Sequence, residues 1–139
     1  MSLAEQFGSR LHVLHVIPDP TAAWQLGLQI ALPNYAQDLP NRMAEAEEEH
    51  ALEEMTKLFP QTGGPNDPVL VVRKGKAFEQ ITRYASDEQI DLIVIGTHGR
   101  GMVMHTLMGS VAENVVRHAG CPVLTVKAEG SDPAGDEAE

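Results

Sequence analysis

Gly96-Thr97-His98-Gly99-Arg100-Gly101, then Met102 to Met108, then Gly109-Ser110, is the stretch whose residue types and spacing could do chemistry. It begins where an apolar run ends and finishes where an amphipathic one starts. Open α/β sheets bind ligands at the carboxyl ends of their strands, at such junctions. Glycines let a backbone approach a phosphate closely and adopt positive φ. The free N–H groups at the head of a helix over 110–119, together with its dipole, form an anion site. Ser110 can add a hydroxyl donor and Arg100 a charged one. The chemistry indicated is phosphate binding, and nothing in the stretch requires a metal ligand or a nucleophile. The alternative is that Gly96, Gly99 and Gly101 are turn residues and Gly109-Ser110 a helix entry. Neither G-x-x-x-x-G-K-[S/T] nor G-x-G-x-x-G occurs, so the stretch is neither a Walker loop nor a dinucleotide fingerprint.

Other reactive residue types are less telling. The six histidines (His12, His15, His50, His98, His105, His118) show no structural-zinc spacing with cysteine, and His12 and His15 fall on opposite faces of one strand, so no metal is expected. His98 is either a ligand contact or a plain loop residue. Cys121, the single cysteine, excludes an internal disulfide; it reads as a buried structural thiol, the other reading being a redox sensor. Met102, Met104 and Met108 are expected to pack under the glycine loop.

The elements that position this loop follow from periodicity and punctuation. Residues 11–17 read as a strand ended by Pro18 and Pro20. Residues 18–40 form a long connection with a short helix expected over 24–32. Residues 41–59 read as an amphipathic helix with Asn41 as N-cap and Met43, Ala44, Ala51, Leu52, Met55, Leu58 and Phe59 on its inner face. A strand follows over 69–73, a turn at Gly75, and a helix over 77–88 that faces Ala77, Phe78, Ile81, Tyr84 and Ala85 inward. A second strand covers 91–96, a helix capped by Ser110 covers 110–119, and the last strand covers 121–127. The continuous apolar runs suit strands covered on both faces. Alternation with short links implies right-handed parallel crossovers and a three-layer α/β sandwich with a mainly parallel open sheet.

The chain has 139 residues, enough for one domain with a real core, and 42% of them are hydrophobic, which excludes a fibrous or wholly disordered protein. No apolar run approaches the ~20 residues of a membrane span, and no signal peptide opens the chain, so a cytoplasmic location is expected. The net charge of −10 is unevenly spread. Six glutamates lie within 45–54 and five acids within 129–139, whereas residues 73–127 hold seven bases against five acids. The glutamate run reads as a solvated helix face and residues 128–139 as a disordered acidic tail. Duplex nucleic acid is excluded as a favoured partner, because counterion release would contribute little.

Gly96-x-x-Gly99, nine residues, then Gly109-Ser110 resembles the G-2x-G-9x-G-[S/T] motif of ATP-binding universal stress proteins. Asp91 to Gly96 ahead of it and Gly120 to Val126 behind it resemble that family's flanks, and Leu11 to Ile17 resembles its second strand. The resemblance covers residues 4–127, most weakly over 18–68, and makes 1–127 one such domain. It implies a Rossmann-like fold of the adenine nucleotide alpha-hydrolase type and a cytoplasmic stress-response regulator or sensor that binds ATP, or AMP or ADP, with or without Mg2+. It implies at most weak ATPase activity, and no base or Walker-type lysine is evident to activate water. By position, Gly96, Gly99 and Gly109 would let the backbone wrap phosphates and ribose, and Arg100 lies in the same segment. Ser110 and the Val111 backbone would meet phosphate, and Val16 would line the adenine. Homodimers formed through the last strand (Val123, Leu124, Val126), and a further regulatory protein partner, are also implied. The rival reading is a protein-interaction module of the same fold, without a nucleotide, acting through that dimer face and the 18–40 loop. A transferase of related fold is disfavoured, since no H-x-G-H pair occurs.

The sequence departs from that family at two places. Ala112 stands where some nucleotide binders have a hydroxyl residue. More seriously, residues 4–8 resemble only the end of the family's first helix, and the preceding strand, with its base-contacting aspartate, is not seen. Loss of a central strand would leave two neighbours with unpaired backbone groups. Three readings follow: a truncated chain, direct closure of the gap by the flanking strands, or a strand donated by another chain. Base selectivity is the part of the site this puts in question.

Overall fold

The computed structural model describes residues 3–19, 39–64, 66–97 and 108–127. In chain order the elements are α1 (Leu3–Phe7), β1 (His12–Ile17), α2 (Leu39–Leu58), β2 (Val69–Lys74), α3 (Ala77–Asp87), β3 (Ile93–Gly96), α4 (Ser110–His118) and β4 (Val123–Val126). The fold is α/β with parallel strands, as the alternation predicts. The expected 24–32 helix and the 128–139 tail lie outside the described residues. The chain divides into two units, Met1–Gln80 and Ile81–Glu139, with the division inside α3.

In the first unit β1 and β2 pair in parallel from His12–Val69 to Ile17–Lys74. Parallel neighbours need a crossover, and α2 supplies it, packing on both strands. Its inner stripe is Ala44, Glu48, Ala51, Met55 and Phe59, spaced four, three, four and four, which keeps one face of a 3.6-residue helix. Met43, Leu52 and Leu58, expected inside, are exposed. Met43 and Leu52 sit beside this narrow stripe, and Leu58 closes the last turn. Asn41 is not the N-cap either, because the helix already includes Leu39 and Pro40. Proline is tolerated there, since a first-turn N–H has no intrahelical partner to lose. Glu48 reaches from the stripe to Lys74 at the end of β2, 2.8 Å away.

The 59–68 link is held by one carboxylate. Asp67 accepts from the Thr62 N–H, the Thr62 hydroxyl and the Gly63 N–H at 2.7–3.0 Å, and Gly63 takes φ +77° within that turn. The Thr62 hydroxyl, then the backbone donors of Thr62, Gly63 and Gly64, hold the Asp67 carboxyl below the usual carboxylate range. At the other end of β2, Gly75 turns the chain into α3 at φ +135°, where a side chain would be strained and would also press on Gln80.

In the second unit β3 and β4 pair in parallel from Ile93–Val123 to Gly96–Val126. Both strands are shorter than expected, because Asp91-Leu92 and Cys121-Pro122 lead into them rather than joining the ladder. α4 packs on β4 and buries Ala112 and Val115 completely or nearly so, while Ile93, Tyr84 and Ala85 complete the buried set. The expectation of strands covered on both faces fails here. Val94, Leu124 and Val126, which the register puts on one face, are 56%, 41% and 45% exposed. The four described strands pair as two two-stranded sheets, β1-β2 and β3-β4.

Candidate functional site

The predicted phosphate loop is anchored at both ends within the second unit. Gly96 ends β3 opposite Val126, and the next N–H, that of Thr97, donates to the Val126 carbonyl at 2.9 Å. The Thr97 carbonyl in turn accepts from the Gly109 N–H at 2.6 Å. Gly109 then accepts from the Glu113 N–H at 2.9 Å, the first bond of α4. Three successive backbone bonds therefore join the end of β4 to the first turn of the helix, and they bring Gly96, Gly109, Ser110 and Val111 together.

The helix entry differs from expectation in one respect. Gly109, not Ser110, is the N-cap, with extended backbone (φ −71°, ψ 151°) and no side-chain cap. Ser110 is already helical, and its carbonyl accepts from Asn114 Nδ2 at 2.8 Å. The extended angles suit any residue, so glycine at 109 is not needed for backbone freedom. It is buried.

An α-helix leaves its first N–H groups without intrahelical partners. Those of Ser110, Val111 and Ala112 have no partner among the described residues, and Ser110 and Val111 are exposed. The positive end of the helix dipole lies here as well. Glu113, the one acid of the first turn, is drawn towards the second turn by Arg117, 2.9 Å from its carboxylate. Aligned donors and a positive dipole at a helix end favour an anion. Sequence reasoning missed Thr97, whose backbone makes both anchoring bonds; its side chain gives no signal for that.

The remaining ligand-contact candidates belong to the first unit or lie outside the described residues. Val16, half-buried on β1 opposite Arg73, belongs to the first unit. Gly99, Arg100, His98 and the methionines Met102 and Met104 lie outside the described residues. Cys121 is half-buried rather than buried. Among the described residues no group of three or more metal-ligating side chains occurs, and no helix is long and apolar enough to cross a membrane. An open groove of about 620 Å3 runs along α2, lined by Glu45, Glu48, Glu49, Leu52, Glu53, Thr56 and Lys57. Four glutamates against one lysine make it repellent to a phosphate, so it does not compete with the head of α4.

Known proteins resemble this chain in sequence and in fold. The family model of the universal stress protein family matches residues 1–127. The universal stress protein MJ0577 of Methanocaldococcus jannaschii is 33% identical over 105 residues, 76% of this chain and 63% of its own length. The chain thus spans less than two thirds of that relative. The universal stress protein in the QAH/OAS sulfhydrylase 3' region of Thermus aquaticus is 33% identical over 127 residues, 89% of this chain and 82% of its own. Among solved structures, the universal stress protein UspA from Lactobacillus plantarum superposes with a TM-score of 0.65 at 25% identity, covering 88% of this chain and 81% of that one.

Proposed function

The chain belongs to the universal stress protein family, and from that premise we propose that it is a stress-response regulator or sensor that binds an adenine nucleotide at the head of α4. The observation that supports this most is the set of three N–H groups, Ser110 to Ala112, without a partner among the described residues, at a helix entry fixed by Thr97 and Gly109. Ser110 and Val111 would meet the phosphates, Gly96, Gly99 and Gly109 would admit them closely, and Arg100 would add charge. Val16 would line the adenine. ATP is the first candidate, with AMP and ADP beside it and Mg2+ as a counter-ion to the phosphates. The residues fit the phosphate half of such a ligand: donors and a positive dipole are present, and the acid of the first turn, Glu113, is paired with Arg117. No described group is placed to activate water, so binding rather than turnover is the activity, with weak hydrolysis at most.

A cytoplasmic homodimer paired through β4 belongs to the same reading, with residues 1–127 acting as one domain and a further regulatory protein as partner. The exposed apolar side chains of Leu124 and Val126, beside half-buried Val123, favour an interface there. That same face favours the second reading, a protein-interaction module that needs no nucleotide. Titration of the folded chain with ATP separates the two, with Gly109→Leu as control. On the first reading the wild type binds and the variant, which fills the buried N-cap, does not. On the second neither binds.

A further inference from the structure

We propose that the backbone bond from the Gly109 N–H to the Thr97 carbonyl is the positioning element of the phosphate site, and that Thr97 is its positioning residue. This rests on the nucleotide reading above. The bond is 2.6 Å long, at the short end for an N–H to carbonyl contact, and its acceptor is itself tied to β4 through the Thr97 N–H and the Val126 carbonyl. Gly109 therefore spends its own N–H internally and has none to offer a ligand. What it offers is a fixed starting point for α4, since the next three N–H groups follow from it by helical geometry. A site that binds by aligned donors loses affinity when the donors are free to wander, because the ordering must then be supplied on binding. Among the described residues this is the backbone bond that ties the N-cap to the end of β3; the other bond of the cap, from the Glu113 N–H to the Gly109 carbonyl, lies within the helix.

The test replaces the Met108–Gly109 amide by an ester, with glycolic acid incorporated at 109. This deletes the N–H and leaves the size and φ/ψ of the residue unchanged. ATP affinity, the circular dichroism spectrum and the thermal midpoint are measured for this variant and for the wild type. Loss of one backbone hydrogen bond that orders a binding site is expected to weaken ATP about tenfold, while spectrum and midpoint stay near the wild type. Amide exchange in the unliganded wild type supplies a measurement that no folding failure can spoil: the Gly109 N–H must exchange much more slowly than the N–H groups of Ser110 and Val111. Wild type that binds ATP beside an ester variant that binds equally well overturns the positioning role and leaves the nucleotide reading intact. Fast exchange at Gly109 overturns it also. Wild type that binds no ATP overturns both.

Discussion

Asp67 shows how much one exposed side chain can organise. Its carboxylate gathers donors from Thr62 and Gly63, and these bonds hold its titration below the ordinary value of 3.8. A folded-state value that is lowered favours the folded form above the unfolded value, and this contribution disappears as pH falls through the folded value. The Thr62 and Gly63 N–H groups are therefore expected to stay protected from exchange at neutral pH and to lose protection below about pH 3.8. Asp67→Asn is expected to remove that pH dependence altogether, as read by amide exchange or by the amide shifts themselves. None of this was legible in the sequence, where Thr62-Gly63-Gly64 and Asp67 look like ordinary loop residues. The glycine motif was legible because spacing alone locates it. The assignment of the cap to Ser110 failed at the same scale. A hydroxyl residue at a helix entry is a good cap by type, but the backbone bond from Gly109 to Thr97 moves the N-cap one residue earlier.

At the scale of elements, the order strand, helix, strand, helix, strand, helix, strand was readable from where proline and glycine interrupt apolar periodicity. Finer features were less readable. The inner face of α2 carries Glu48, which a hydrophobicity pattern would place outside, because Lys74 receives it at the end of β2. That pair is more than a third exposed on both sides, so it orients the helix and contributes well under 1 kcal/mol. Burial does more. Val115 on α4 is fully buried against β4 and its surroundings. Val115→Ala removes two methyl-equivalents from a packed position and is expected to cost about 2 kcal/mol, read as a lower denaturant midpoint with an unchanged slope. Since α4 carries the proposed phosphate site, the same variant should weaken ATP only through the folded fraction. A much larger loss of ATP affinity than of stability would mean that Val115 also sets the helix position.

At the scale of the molecule, the parallel α/β class was legible and the division into sheets was not. Apolar runs such as Val69 to Val72 and Leu92 to Ile95 predict buried parallel strands, yet the described strands form two pairs. The reason is that periodicity reports what a strand could bury, while pairing depends on which neighbours are present. The consequence is the apolar face of Val94, Leu124 and Val126. If β4 is the dimer edge, Leu124→Glu places a charge in that interface and is expected to turn a dimer into a monomer in sedimentation velocity, with the fold retained. A wild type that sediments as a monomer at all concentrations would contradict the dimer.

The central claim is that the head of α4 binds an adenine nucleotide, and calorimetric titration of the folded, nucleotide-free chain with ATP in the presence of Mg2+ tests it most directly. The account predicts saturable one-site binding with a dissociation constant in the micromolar range, corresponding to about −8 kcal/mol, and loss of that heat in Gly109→Leu. A folded chain that gives no heat with ATP, AMP or ADP would contradict it and would leave the interaction-module reading standing.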